Sequence, residues 1–366
     1  MKRGGNAAPV IRQSAVWRAA DIQRRFGRRQ LLTTRISRGC DRAEFFEEYA
    51  MQDVVALAAI VALIALLVWL GVRALRADHL VVRWGGVVLV ATLAITLSGV
   101  GALTAAGIVK QHTRSAPVPD LKIEATPEQI ARGRAVADGF CAGCHSKSGV
   151  LSGGGDVGKD LPLPIGSFVP ANLTPAGALK HWSDGEIFRA IRNGVDAQGR
   201  WLAIMSFTNA GRLSDDDTSA VIAYIRSLPA TGEPTRDPPD HFSLLGLAML
   251  GAGLLPDAKP VFTGVIVAPP KAPTARYGRY LLSYQDCREC HGKDLAGGVP
   301  GQLPPLGPDL TIVKDWSQAQ FIATMRTGVD PNGHHLAEQM PWRPIGRMDD
   351  DELAAIYQYL AALPRT

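Results

Sequence analysis

Two short motifs of cysteine and histidine have the residue types and spacing to do chemistry. They are Cys141-Ala142-Gly143-Cys144-His145 and Cys287-Arg288-Glu289-Cys290-His291. In a Cys-x-x-Cys-His motif, the two thiols can add to the vinyl groups of one porphyrin while the adjacent imidazole binds the iron. The motifs therefore predict two covalently attached c-type haems, with His145 and His291 as the proximal iron ligands.

A zinc site built from the cysteine pairs, or a redox-active Cys-x-x-Cys turn, is the competing interpretation. A shared zinc site would have to bring together two pairs from different halves of the chain, and it would leave both histidines without a role. Haem attachment uses all six residues. It is therefore the favoured chemistry.

The sequence repeats after each motif, which predicts two similar structural units. Asn172-Leu173-Thr174 matches Asp309-Leu310-Thr311, and Arg192-Asn193-Gly194-Val195-Asp196 matches Arg326-Thr327-Gly328-Val329-Asp330. Each half is predicted to contain a helix that leads into the haem motif, a middle helix and a final helix. The middle helices are expected at about 184–193 and 317–327.

The final helix of each half has clear end signals. Ser214 and Asp349 are suitable N-caps, acidic residues follow them in the first turn, and Pro229 and Pro364 end the pattern. Negative charge at a helix N-terminus is favoured by the helix dipole. We therefore interpret these acidic residues as helix caps and not as catalytic carboxylates.

Position in the repeat also selects candidate distal ligands. Met205 and Met340 each lie seven residues before a matching arginine, Arg212 or Arg347. A methionine thioether is a common sixth ligand of c-type haem iron. Met340 is followed by a proline that fixes the turn, whereas Met205 is followed by serine.

From about residue 117 onward the chain resembles bacterial membrane-anchored diheme cytochromes c. The resemblance rests on the two haem motifs, the repeated Asn-Leu-Thr and Gly-Val-Asp strings, and Met340-Pro341-Trp342-Arg343. It implies an all-α fold with two tandem class I cytochrome c domains, expected at 111–232 and 274–366. It also supports Cys141, Cys144, Cys287 and Cys290 as haem attachment sites, with iron ligands His145, Met205, His291 and Met340.

Two apolar runs, at 53–72 and 85–109, are long enough to cross a bilayer as helices. They predict an N-terminal transmembrane hairpin within residues 51–110. Arginines in the short link between them favour a cytoplasmic position for that link. Haem attachment outside the cytoplasm, which the resemblance implies, then requires the haem domains to face the periplasm.

Residues 1–50 carry 11 basic and 5 acidic side chains, which is the wrong sign for a short tail on the periplasmic side. We therefore expect a basic extension that is disordered or lies upstream of a true start at Met51; the alternative is that one apolar run does not span. Arginine clusters can indicate nucleic-acid binding. An arm immediately before a membrane span makes that partner class improbable.

A proline-rich linker is expected at 233–273. Within it, residues 242–255 are apolar but too short to span a membrane. They predict a helix that packs against a haem domain or lies on the membrane surface, with a docking role for a partner as a weaker alternative.

These features together predict an electron-transfer protein, not a catalyst, on the periplasmic side of a bacterial cytoplasmic membrane. Its expected donors are a dehydrogenase or a quinol-oxidising complex, and its expected acceptors are a soluble cytochrome or an oxidase. Two alternatives stay open: a diheme peroxidase with one open iron, and a haem-based gas sensor. The serine after Met205 is the feature that keeps the peroxidase alternative open.

Overall fold

A computed structural model describes residues 55–237, 239–256, 258–302 and 304–364 of the chain. The expectations for the basic extension at 1–50 and for a start at Met51 lie outside these residues. The chain divides into two compact units, one ending at Ser98 and one beginning at Gly99.

The first unit contains helix α1 (Val55–Ala74) and the beginning of α2 (Leu80–Thr113). Both helices are long and apolar enough to cross a membrane, with mean hydropathies of 2.9 and 2.1. Their side chains are largely exposed. The sequence predicted both helices, although α2 begins at Leu80, five residues before the apolar run.

The second unit contains the rest of α2 and two similar helical modules. The first module consists of α3 (Pro127–Val136), a π-helical turn (Ala137–Cys141), α4 (Ala142–His145), α5 (Asp184–Asn193), α6 (Ala203–Phe207) and α7 (Asp215–Ser227). The second module consists of α9 (Ala275–Tyr284), α10 (Cys287–His291), α11 (Gln318–Thr327), α12 (Trp342–Ile345) and α13 (Asp350–Ala361). Short 3-10 turns lie at Val157–Asp160, Ala178–His181, Ala210–Arg212 and Leu310–Asp315.

The first and last helices of each module cross at a glycine. A Cβ atom on Gly133 of α3 would lie 1.8 Å from the carbonyl oxygen of Ala220, and one on Gly278 of α9 would lie 1.9 Å from that of Ala355. Such distances are far below van der Waals contact, so only glycine permits these helices to approach so closely. This crossing brings the start of each haem motif against the final helix.

The final helices begin at the predicted caps. The Ser214 side chain accepts a hydrogen bond from the backbone N–H of Asp217, at 3.0 Å, and Asp349 accepts one from Glu352, at 2.9 Å. Both cap predictions are confirmed. The cap on α13 is a capping box, because Glu352 also accepts a hydrogen bond from the N–H of Asp349.

The segment between the modules forms strand β2 (Asp240–Phe242) and helix α8 (Leu244–Ala252). Strand β2 pairs antiparallel with β1 (Gly166–Phe168) of the first module. Helix α8 packs on α2, where a Cβ on Gly107 would lie 1.9 Å from the carbonyl oxygen of Leu247. The expected short apolar helix is therefore present, and it packs against the first module.

The fold is mostly helical, as predicted. The small two-stranded sheet, which the described residues contain, was not predicted from the sequence. The two modules share a continuous hydrophobic core. Side chains that are almost fully buried in it come from both, and they include Leu213, Ile222, Leu281, Phe321 and Leu353. Because one core serves both modules, they hold each other in a defined relative position.

Candidate cofactor sites

A cavity in the first module brings together four of the residues that the sequence selected. Cys141, Cys144, His145 and Met205 all line it. The other walls are mainly apolar and come from the middle and final helices, including Ile187 and Val221. Two thiols, one imidazole and one thioether around a mainly apolar cavity are the donor set that a c-type haem requires.

The His145 ring is oriented by the backbone. Its Nδ1 lies 2.8 Å from the carbonyl oxygen of Ala171, so Nδ1 carries the proton and Nε2 is left for a metal. Burial lowers the pKa of His145, which keeps the imidazole neutral. Neutral imidazole is the form that binds iron.

His291 has the same arrangement in the second module. Its Nδ1 lies 2.7 Å from the carbonyl oxygen of Pro308, and burial lowers its pKa as well. Gly307 lies beside the ring, where a Cβ atom would be 2.6 Å from Nδ1. The hydrogen bond to Pro308 and the close approach of Gly307 therefore fix one orientation of the His291 ring.

The four motif cysteines are free thiols. Burial raises the pKa of Cys141 and of Cys287 to about 12, and it raises those of Cys144 and Cys290 as well. Among the described residues, no group of three or more His, Cys, Asp or Glu side chains could hold a metal ion. The structure thus keeps the two cysteine pairs separate, as attachment to two porphyrins would need.

The two candidate distal methionines lie in different local structures. Met205 is on the five-residue helix α6 and faces the cavity of the first module. Met340 lies in the turn before α12 and packs against the same core cluster as Cys287. In each module a repeated glycine with positive φ supports this region: Gly194 contacts Ser206, and Gly328 contacts the Trp342 ring.

Four residues around the sites were not selected from the sequence. The carbonyl groups of Ala171 and Pro308 orient the histidines, and both residues directly precede the repeated Asn-Leu-Thr or Asp-Leu-Thr string. Aligning the repeats could have found them. Asp240 and Asp286 also line the first cavity, but both come from outside the first module, and no sequence signal indicated this.

The second haem motif adjoins the cavity of the first module. Asp286, which immediately precedes Cys287, lines that cavity and accepts two hydrogen bonds from Asn209, at 2.8 and 2.7 Å. Tyr284 meets the Phe140 ring edge to face, with 5.7 Å between centroids. The two Cys-x-x-Cys-His segments are thus close neighbours in the fold.

An ion network also joins the two modules. Arg132 of α3 makes a bidentate pair with Asp217, at 2.6 and 2.9 Å, and a short contact with Glu352 of α13. It also donates to the Tyr277 hydroxyl. Glu352 is 1% exposed, and the partly exposed Arg132 guanidinium supplies a cationic partner for this buried carboxylate.

Two family models match the chain. The model of the family "Cytochrome c" matches residues 130–229, and that of "Cytochrome C oxidase, cbb3-type, subunit III" matches residues 273–360. Each match contains one Cys-x-x-Cys-His motif and the histidine with the oriented ring.

Several curated relatives are named as cytochrome subunits of dehydrogenases. The chain is 25% identical over 240 residues to the fructose dehydrogenase cytochrome subunit of Gluconobacter japonicus, covering 63% of this chain and 47% of that protein. It is 26% identical over 258 residues to the cytochrome c subunit of alcohol dehydrogenase (quinone) from Gluconacetobacter polyoxogenes, covering 62% and 54%. A shorter match is to the gluconate 2-dehydrogenase cytochrome c subunit of Pantoea cypripedii, 34% identical over 95 residues and covering 22% and 21%.

The chain spans about half the length, or less, of these relatives. The two family matches coincide with the two helical modules. The three relatives are all named as cytochrome subunits. The chain therefore contains two tandem cytochrome c domains, which imply two covalently attached c-type haems with iron.

Proposed function

We propose that this chain is a membrane-anchored diheme cytochrome c that passes electrons between its two haems and serves a dehydrogenase on the periplasmic side of a bacterial cytoplasmic membrane. The observation that carries the proposal is the position of Asp286. This residue adjoins the second haem attachment site and lines the cavity of the first. The two attachment sites therefore adjoin each other, which supports electron exchange between the haems that they would hold.

The residues that would hold each haem follow from the sites. In the first domain they are Cys141, Cys144, His145 and Met205. In the second they are Cys287, Cys290, His291 and Met340. Each bound haem supplies a one-electron ferric/ferrous couple.

The protein's own residues make this couple suitable for electron transfer. The Ala171 and Pro308 carbonyl groups fix the two imidazoles, and the apolar cavity wall excludes water from the first site. Met205 and Met340 would supply thioether ligands, and an iron that holds both an imidazole and a thioether would have no position for a substrate. This arrangement favours a carrier over a peroxidase or a gas sensor, both of which need an open iron.

Helices α1 and α2 supply the proposed anchor. Both have the length and hydropathy of membrane spans. The last turns of α2 pack on α8, and Lys110 donates to the carbonyl oxygen of Leu250, at 2.9 Å. The proposed domain limits are 51–110 for the anchor, 111–232 and 274–366 for the haem domains, and 233–273 for the linker, although α2 continues past the first limit to Thr113.

The relatives' names suggest the class of donor. They are cytochrome subunits of fructose, alcohol and gluconate dehydrogenases. We infer that a dehydrogenase delivers electrons to one haem and that a soluble cytochrome or an oxidase receives them from the other. Such partners would recognise a surface rather than a substrate pocket.

The test is to produce the full chain in a cytochrome-maturing host and to measure haem per chain and the absorption spectrum. We expect two haems that survive denaturation, both low-spin, with the methionine-to-ferric-iron charge-transfer band. Met205→Leu and Met340→Leu should each remove about half of this band if each methionine binds one iron. A single haem per chain, or a high-spin haem in the resting protein, would contradict the proposal.

Fractionation tests the anchor separately. Haem should stay with the membrane after a salt wash and should enter solution with detergent. Cysteines introduced into the haem domains should react with a membrane-impermeant reagent added to spheroplasts. Release by salt alone, or protection from the reagent, would overturn the anchor or the orientation.

A further inference from the structure

The two candidate distal methionines differ in what holds them. Pro341 follows Met340 and restricts the backbone there, whereas Ser206 follows Met205. The first site lacks this proline, so other contacts must fix its loop. Those contacts come in part from outside the first domain.

Asp240 of the interdomain linker contacts the helix that carries Met205. Its Oδ2 accepts a hydrogen bond from the backbone N–H of Ala203, at 2.6 Å. Ala203 is the first residue of α6, two positions before Met205. The backbone N–H groups in the first turn of a helix have no partner within the helix, so a carboxylate here stabilises the whole short element.

Asp240 is itself held in place by the small sheet. It lies opposite Phe168 in the β1–β2 pairing. The Phe168 N–H in turn donates to Asp156, at 2.7 Å. The carboxylate that caps α6 is therefore fixed to a strand that belongs to the first domain, and its position does not depend on a flexible loop.

The other contacts of α6 come from the first domain and from the linker, where the Lys259 backbone N–H donates to the Ser206 carbonyl oxygen, at 2.9 Å. The Trp201 Nε1–H donates to the Ser206 hydroxyl, at 2.6 Å, and that hydroxyl donates to the carbonyl oxygen of Ala203, at 2.7 Å. Gly194 adjoins Ser206 on the other side. Asp240 thus contributes the linker's side-chain hydrogen bond to α6, and Lys259 contributes a backbone one.

We infer that Asp240 is a positioning residue for Met205, so that the interdomain linker sets the distal ligation of the first haem. This inference rests on the proposed function, in which Met205 binds the first iron. Asp240 also lines the cavity, as Ile204 and Met205 do. Loss of its acceptor oxygen frees the first turn of α6 and lets the thioether move away from the iron position.

The test compares variants of the full holoprotein by spectrum, potential and ligand binding. Asp240→Leu removes the acceptor but retains side-chain bulk, and Asp240→Ala removes both. We expect each to lose about half of the methionine-to-iron charge-transfer band, to lower one of the two midpoint potentials, and to make one ferrous haem bind carbon monoxide. Asp240→Asn keeps an acceptor oxygen and should retain the wild-type band.

Two controls separate a specific effect from general damage. Glu233→Ala alters an exposed linker carboxylate and should leave both haems unchanged. The second haem is an internal reference, because its Met340 contribution should persist in every Asp240 variant. Equal losses at both haems in Asp240→Leu would mean that the residue acts on overall folding, and would overturn the inference.

Met205→Leu distinguishes this inference from the proposed function. If Met205→Leu leaves the spectrum unchanged, Met205 is not the ligand and the proposed function fails at this site. If Met205→Leu removes half of the band while Asp240→Leu and Asp240→Ala retain it, the ligand assignment stands and the role of Asp240 is refuted.

Discussion

Asn209 of the first domain donates both its backbone N–H and its side-chain amide to Asp286, the residue that directly precedes the second haem motif. Asn209 is 8% exposed, so the contact is shielded from water. Burial raises the pKa of Asp286, while the hydrogen bonds from Asn209 oppose that rise. This pair therefore ties the distal loop of one domain to the haem attachment segment of the other.

The first prediction concerns this pair. Asn209→Ala should lower the free energy of unfolding by about 1–3 kcal/mol, because it removes the side-chain amide that donates to the partly buried carboxylate of Asp286. The measurement is denaturant unfolding of the holoprotein, followed by haem absorbance. Asn332→Ala, at an exposed turn position, should change it by less than about 0.5 kcal/mol. Equal effects of the two variants would show that the Asn209 contact contributes nothing specific.

The second prediction concerns Arg132. Arg132→Ala should destabilise the chain by about 3–5 kcal/mol, because it leaves Asp217 and Glu352 buried without their cation. Arg134→Ala is the matched control, two positions away on the same helix. Its side chain is 69% exposed and pairs with Asp138 at 3.4 Å, so its loss should be within about 1 kcal/mol. Thermal unfolding of both variants at one pH distinguishes them, and similar melting temperatures would contradict the network's role.

Much of this architecture could be predicted because its signals are local or repeated. The helix caps at Ser214 and Asp349 follow from residue type, and the grouping of Met205 with the first haem motif follows from alignment of the two halves. Helices α1 and α2 follow from the length of the two apolar runs.

The contacts between distant segments could not be predicted in the same way. Asp240 and Asp286 reach the first cavity because a two-stranded sheet and a shared core bring their segments there. Neither the pairing of β1 with β2, which are three residues each, nor the packing of the core has a periodic signature in the sequence. The same holds for Arg132, whose partner Glu352 lies in the other domain.

The third prediction concerns pH. Burial tends to raise the pKa of Asp349, but its hydrogen bonds from Lys271 and from the Glu352 N–H outweigh burial and lower it. A carboxylate with a lowered pKa contributes stability above its unfolded pKa of about 4, and this contribution is lost as the pH falls through the folded value. Asp349→Ala should therefore lower the free energy of unfolding by about 1 kcal/mol at neutral pH and by less in acid.

Ser214→Ala is the control for the pH effect. Ser214 caps the equivalent helix α7 but does not titrate. Its loss should lower the free energy of unfolding by a similar amount at neutral pH, with no acid-dependent change. Urea unfolding at neutral pH and near pH 3 compares the two variants. An Asp349→Ala effect that is the same at both pH values would exclude the charged form as the source of stability.

The last prediction concerns the packing of α2 on α8. A Cβ atom on Gly107 would lie 1.9 Å from the Leu247 carbonyl oxygen, and one on Gly251 would lie equally close to the Leu103 carbonyl oxygen. Gly107→Ala must push the helices apart, at a cost of about 1–3 kcal/mol. Since this contact ties the end of a proposed membrane span to the first domain, hydrogen exchange in α8 should become faster in detergent solution.

Gly99→Ala, on the same helix with nothing within 4 Å of the added atom, should leave that exchange unchanged. Unchanged exchange in Gly107→Ala would mean that α8 is held by the first domain alone and that the glycine contact does not couple it to α2.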